Sequence, residues 1–360
     1  RFGADEDESI IKCGSYTTDG SGNATVSLGF EPQWVLNKVS SASDNWTIAD
    51  NMRGFSVTNE QRLYANLANA ESAATTFRPT STGYTVNGGE TSQTYIYIAI
   101  RRGPMKVPEA GTEVLSIDTK GATAPSPPSW TSTFPVDFIL RGELNSANSR
   151  YVSARLTGAS YVVANTDAAE SANGNQTFDY MDGFSKDGGT STTDYGYMFK
   201  RAPEFFDVVC YTGTGSNTTQ AHNLGVAPEM IMVKRRNDIE DWLVYSQPTG
   251  NEAGTGLNTD AATYTGVPQY WNSTSPTASV FSLGTHGRAN TSAKTYVAYL
   301  FATLAGISKV GSYTADATLT TIDCGFSAGA RFILIRRTDA AGDWYVYDSV
   351  RGIVAGDDPY

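Results

Sequence analysis

A chain of 360 residues has room for roughly two to four domains, and a charged fraction of only 18% beside 20 Tyr, 15 Phe and 6 Trp reads as β-structure with polar turns. The formal net charge of −11 excludes a nucleic-acid backbone as partner, because phosphate binding needs clustered Lys and Arg, and the one basic cluster, Lys234 to Arg236, is too short. No apolar run of about 18 residues is present, which excludes a transmembrane helix, and Cys13, Cys210 and Cys324 lack CxxC spacing, which predicts buried thiols instead of a disulfide framework or a zinc site.

The chain opens on Asp5, Glu6, Asp7 and Glu8, an acidic linker without the Asn or Gly spacing of a calcium loop. No charged-then-apolar leader precedes it, and the first residue is Arg1 instead of Met, so the natural start is expected elsewhere. From Lys12 onward the sequence repeats. KCGSYTTDG at Lys12 to Gly20 returns as VVCYTGTG from Val208 and KVGSYTADA from Lys309, and each copy leads into LGFEPQWVLNK, LGVAPEMIMVK or CGFSAGARFILIR. TYIYIAIRRG from Thr94 returns as DYGYMFKRAP from Asp194 and TYVAYLFATL from Thr295, at spacings of 100 and 101 residues. A period of this size marks an array of modules.

Taking Tyr16, Tyr211 and Tyr313 as one position leaves a gap of two periods, so a degraded copy must lie between the first two. It is found at SIDTKG, where Ile117 stands for Tyr16 and Phe134 to Leu140 echo Phe30 to Leu36. The predicted organisation is an acidic linker over 1–11, β modules over 12–111, 112–207 (the degraded copy) and 208–308, and the first half of a fourth over 309–360. That half-module predicts a natural chain running past Tyr360, or a sheet completed by another chain.

Within a module, short apolar runs are bounded by Gly, Pro, Asn and Ser, which is a strand pattern. GSYTTDGSGNATVSLGF predicts strand, turn, strand; PQWVLNKV and SDNWTIAD predict an antiparallel pair; six to eight strands per module fit an all-β fold. TYIYIAI is apolar on both alternating faces, so it is expected at the centre of a sheet whose outer face meets a neighbouring module or subunit. The expected fold is all-β: tandem β-sandwich-like modules of about 100 residues in series, elongated. The charges of VKRRNDIEDW and IRRTDAAGDW are read as polar hairpin tips.

Catalytic equipment is not recognisable. The two histidines, His222 and His286, adjoin no nucleophile motif, and no HExxH, GxSxG or Walker-type loop occurs. Asp44, Asp241 and Asp343 recur near each Trp, so they answer a need of the fold. The matching segments WTIADNMRG and WYVYDSVRG predict an Asp–Arg pair that fixes a turn, with sugar or anion binding as the functional alternative. No catalytic, cofactor or metal residues are assigned. The candidate glycan platforms are Tyr264, Tyr270, Trp271 and Trp130, aromatic rings set among Asn, Ser and Thr.

GADEDESIIKCGSY, LGFEPQWVLNKVSSASDNW, YIYIAIRRGPMKVPEAGTEV, YMFKRAPEFFDVVCYTGTG and CGFSAGARFILIRRTDAAGDWYVYDSVRG together resemble repeat modules of virion structural proteins of tailed bacteriophages, of tail-fibre type. The resemblance is weakest from Thr112 to Asn173. It implies a β-rich, trimeric, elongated appendage located in the virion, without cofactor or enzymatic activity, whose partners are other virion proteins and host surface polysaccharide. A capsid decoration, head-fibre or baseplate protein that binds only virion partners is the alternative, and a polysaccharide-cleaving tailspike, needing two carboxylates, the second.

Overall fold

The structure is a computed structural model that describes residues 10–104, 106–119, 127–172, 176–186, 193–316 and 318–353. The acidic run Asp5 to Glu8 and the pair Asp357 and Asp358 lie outside the described residues. The fold is all-β. The first stretch carries β1 (Ile11–Thr17), β2 (Ala24–Ser27), β3 (Pro32–Val39), β4 (Thr47–Asp50), β5 (Glu60–Tyr64), β6 (Ser72–Ala74), β7 (Phe77–Thr80), β8 (Gly83–Val86) and β9 (Thr94–Arg101). The second carries β10 (Leu115–Thr119), β11 (Trp130–Thr131), β12 (Phe138–Glu143), β13 (Tyr151–Ala154), β14 (Ser160–Val163), β15 (Ser171–Ala172), β16 (Gln176–Thr177), β17 (Gly183–Lys186) and β18 (Asp194–Phe199). The third carries β19 (Phe206–Thr212), β20 (Thr218–Ala221), β21 (Met230–Arg235), β22 (Leu243–Ser246), β23 (Val280–Leu283) and β24 (Thr295–Phe301), and β25 (Phe332–Arg336) and β26 (Trp344–Asp348) follow.

The same strand order recurs. The main sheets run β1-β9-β3-β4-β5-β6, β10-β18-β12-β13-β14-β15 and β19-β24-β21-β22, so the last strand of each stretch inserts between its first strand and its central hairpin. The TYIYIAI strand is therefore central, and PQWVLNKV pairs with the following TIAD strand, Leu36 opposite Ile48. A smaller sheet, β2-β8-β7, β11-β17-β16 or β20-β23, accompanies each main sheet. Between the two sheets lies a private core: Val26, Tyr84, Val86 and Ala99 in the first, Trp130, Phe184, Ile139 and Met198 in the second, Phe281, Leu283, Ile231 and Ala298 in the third. Alternation along each strand gives the main sheet a second, outward face.

Those outward faces explain the doubly apolar strands. In register, Ile117, Tyr197, Leu140, Val152 and Val162 form one row across the second sheet, and Val208, Tyr299, Met232 and Val244 the same row across the third. Leu334 and Val346 repeat it on the β25–β26 hairpin. The largest core cluster is made from these faces. Phe138 meets Tyr299 at 5.0 Å between ring centres, Tyr197 meets Phe332 at 4.9 Å, and the Trp344 indole donates to the Gly256 carbonyl at 2.9 Å. Each of the three faces meets the other two, so these stretches share one core.

Three expectations need correction. The block spacing equates Tyr195 and Tyr197 with Tyr95 and Tyr97, yet the second-sheet tyrosines face the shared core while Tyr97 faces its private one. Gly196 and Met198 turn inward instead, because the Trp130 indole fills that interior: a Cβ on Gly196 would stand 3.1 Å from it and 2.9 Å from Ile139. A slip of one residue reverses every side chain of a strand. Ile117, opposite Tyr197, follows the slip and is not the counterpart of Tyr16, which stands opposite Tyr95.

The second correction concerns KVGSYTADA, whose described residues form no strand. In the first and third sheets this segment pairs with β9 or β24, and among the described residues that follow it the strands are β25 and β26, which pair with each other. The third is Cys13, predicted to be buried: it is exposed on β1, while Cys210 and Cys324 are half-buried.

Candidate functional site

Where the second sheet, the third sheet and the β25–β26 hairpin converge, their faces leave a partly open crevice of about 850 Å³. Repetition builds it. Tyr195 and Tyr197 from β18, Trp242 and Tyr299 from the third stretch, and Trp344 and Tyr345 from β26 line its walls, while Asn165, Asn258, Asp260 and Asp343 supply polar groups. Most wall rings are buried against one another, and Tyr345, 54% exposed, turns its ring to the opposite face of β26 from Trp344 and Val346.

One wall is held by a charged cluster. The Tyr197 hydroxyl donates to Asp348 at 2.7 Å, Asp348 pairs with Arg351, and the Arg351 guanidinium lies over the Tyr195 ring at 4.6 Å. Burial raises the Asp348 carboxyl, but the bonds from Tyr197 and Arg351 outweigh it and hold the group below the usual carboxylate range. Asp348 also accepts from the Val350 and Arg351 amides at 3.0 and 2.9 Å, closing a turn after the strand. Asp50 and Arg53 repeat this pairing, with the Arg53 amide on Asp50 at 3.0 Å. The Asp–Arg motif thus fixes a turn, as the matching segments predict, and one of its two copies borders the crevice.

Of the four aromatic platforms read from the sequence, Tyr264 alone has an exposed ring, with the Arg288 guanidinium 5.3 Å from its centre. Trp130, Tyr270 and Trp271 are buried, so none of them offers a ring face to a ligand. The Trp130 side chain fills the second private core and Trp271 donates to the Ala253 carbonyl at 2.9 Å. Trp344 carries no signal of this kind in the sequence, where the segment reads as half a module.

Both histidines do structural work. His222 accepts the Leu224 amide at 3.2 Å, and His286 accepts the Arg288 amide at 3.1 Å at the start of one helical turn. Lys234, Arg235 and Arg236, expected at a solvated hairpin tip, are buried instead. Arg236 makes a forked pair with Glu170 at 2.6 and 2.8 Å, and Lys234 donates to the Asp167 and Glu240 carbonyls at 3.0 and 2.8 Å. The bonds to Asp167 and Glu170 fasten the third sheet to a loop of the second.

The fold and the crevice define an all-β protein built from recurring sandwich-like units that share a central core. The chain belongs to the family described as a domain of unknown function (DUF7483), whose profile matches residues 5–104 and 200–356. The match leaves out 105–199, the stretch in which the repeat is degraded. No curated protein and no solved structure matches the chain.

Proposed function

We propose that the chain is a bacteriophage virion structural protein of tail-fibre type, which contributes to host-surface attachment and whose crevice takes a host surface polysaccharide. The observation that carries this reading is the crevice itself, in which aromatic rings stand beside carboxamide, carboxylate and guanidinium groups. Such a surface can stack on the C–H face of a sugar while hydrogen-bonding its hydroxyls. Recurrence supports the structural half of the reading: three main sheets of one strand order serve as scaffold, and the family resemblance of the repeat blocks supplies the virion as the setting, with other virion proteins as partners. The role requires no catalytic step and no cofactor.

Titration of the folded chain with host-envelope polysaccharides by calorimetry tests it. Saturable binding that Trp344→Ala weakens about tenfold, the loss of roughly 1.4 kcal/mol for one stacked ring, is the expected result. Trp344 is half-buried, so an unchanged far-ultraviolet circular dichroism spectrum of the variant accompanies the titration. Failure to bind any envelope glycan sinks the attachment role, and release of sugar ends would mark a polysaccharide-cleaving protein instead.

A further inference from the structure

The β25–β26 hairpin repeats only the central pair of a main sheet. By block spacing β25 is the counterpart of β21 and β26 of β22, yet where β21 has β24 on its other side, β25 has β26 as its only strand neighbour among the described residues. Its free edge is a defined row. The Ser349 amide donates to the Arg331 carbonyl, so by alternation Ile333 and Ile335 exchange bonds with β26, and the amides and carbonyls of Phe332, Leu334 and Arg336 turn away from it. Among the described residues no other backbone group bonds to that row. The counterparts Met230, Met232 and Lys234 stand opposite Phe301, Tyr299 and Val297 of β24. The private face of the hairpin is bare as well. Ile333, Ile335 and Tyr347 are half-buried and Tyr345 is exposed, whereas their counterparts Ile231, Val233, Tyr245 and Leu243 are at most 2% exposed. Tyr313, in the segment that corresponds to the first strand, is 46% exposed against 8% for Tyr211.

We infer that β25 is an acceptor edge, to which another polypeptide adds one extended strand, antiparallel to β25 and flanked on its other side by residues 310–314. The occupant follows from the sibling sheets. In each of them this place holds a segment apolar on both faces, TYIYIAI, DYGYMF or TYVAYLF, one side closing the private core and the other the shared one. The partner strand is therefore uncharged through its middle, with Tyr or small residues alternating with aliphatic ones. β9, β18 and β24 each already sit between two neighbours, so none of them is free to fill the place. A second copy's β25 is a poor fit, because antiparallel pairing centred on Leu334 sets Arg331 of each copy opposite Arg337 of the other, and like charges directly opposite repel. The same vacancy accounts for KVGSYTADA. Its counterparts β1 and β19 pair with β9 and β24, so without a last strand it has no partner with which to form a ladder. Strand addition of this kind draws its affinity from main-chain bonds and its specificity from alternate side chains. The inference stands apart from the crevice, since Ile333, Ile335 and Tyr345 lie on the opposite face of the hairpin from Leu334, Trp344 and Val346.

A peptide with the β24 sequence, Lys294 to Ala302 followed by a lysine tail for solubility, tests the edge when titrated into the full chain by calorimetry and far-ultraviolet circular dichroism. Saturable binding with a gain of strand signal is the expected result. The same peptide methylated on the amides at the positions of Val297 and Tyr299, which β24 turns toward β21, should bind about tenfold more weakly, because those amides would bond the acceptor edge. Ile335→Asp, on the bare private face, should weaken binding of the unmodified peptide about tenfold while the free chain keeps its spectrum, because the added strand would bury the new charge. Should that variant fail to fold, the methylated peptide decides alone, since it leaves the chain untouched. Absence of binding at about 1 mM peptide, or equal affinity for the two peptides, overturns the proposal. So does binding that a folded Ile335→Asp leaves unchanged, which would place the peptide in another sheet. A two-chain mass that Ile335→Asp reduces to one would make a second copy the occupant and overturns it as well.

Discussion

One guanidinium, that of Arg201, joins all three stretches. It forks onto Glu31 of the first at 2.8 and 2.7 Å and donates to Asp207 at 2.8 Å and the Val208 carbonyl at 2.9 Å in the third, while its own amide donates to Asp137 at 2.8 Å. Arg102 completes a charge-balanced set, 3.6 Å from Glu31 and 3.5 Å from Asp207. Burial raises the Asp207 carboxyl, but Arg201 and Arg102 outweigh it and hold the group below the usual carboxylate range. Its folded pKa is then lower than its unfolded one, so its contribution to stability is complete above about 3.9 and is lost as pH falls through the folded value. Asp207→Asn should cost about 3–5 kcal/mol at pH 7, where it strands a buried positive charge, and should flatten part of the fall in melting temperature below about pH 4. An unchanged melting temperature at pH 7 would show that the junction is held by other contacts. None of this was legible in the sequence. Glu31 sat inside an apolar run and Arg201 inside a repeat block, 170 residues apart, and only the folded chain brings them together.

Single strands were read better than their orientation. Period-two alternation and Gly-bounded runs located the central strand and the β3–β4 pair, since those features are local. The slip of β18 was not legible, because both of its faces are apolar and the block TYIYIAI aligns equally well in either orientation by eye. What decides between them is Trp130, some 66 residues upstream, which needs an absent side chain at Gly196. Gly196→Val should therefore destabilise the second stretch by about 1–3 kcal/mol through overpacking, measured as a lower urea midpoint with an unchanged slope. A neutral outcome would mean that the private core yields to an added side chain. The buried Lys234 to Arg236 cluster was misread for a related reason. Charge at the end of a strand predicts solvent, and the partner loop from Asp167 to Glu170 that satisfies these groups belongs to another stretch.

At the scale of the whole molecule, the repeat revealed the number of units with an outward apolar face but not which faces meet. A doubly apolar strand states only that both sides are apolar; which face covers which is a property of the assembled stretches, and Ile96 and Ile98 of β9 are exposed. The crevice was invisible for the same reason, since its walls come from β18, the third stretch and β26. The insertion of each last strand beside the first has a consequence in time. Ile11 waits for Ile100, Leu115 for Phe199 and Phe206 for Phe301, so no main sheet can close until nearly its whole stretch has left the ribosome. Pairings so distant along the chain form in milliseconds to seconds, not microseconds, and in the interval each stretch presents open strand edges. A fragment ending at Gly89 should show no cooperative melting transition, whereas one ending at Pro104, with β9 included, should gain one. The order in which the last strands emerge, more than the order of the first, then sets the moment at which each unit becomes safe from pairing with the wrong neighbour.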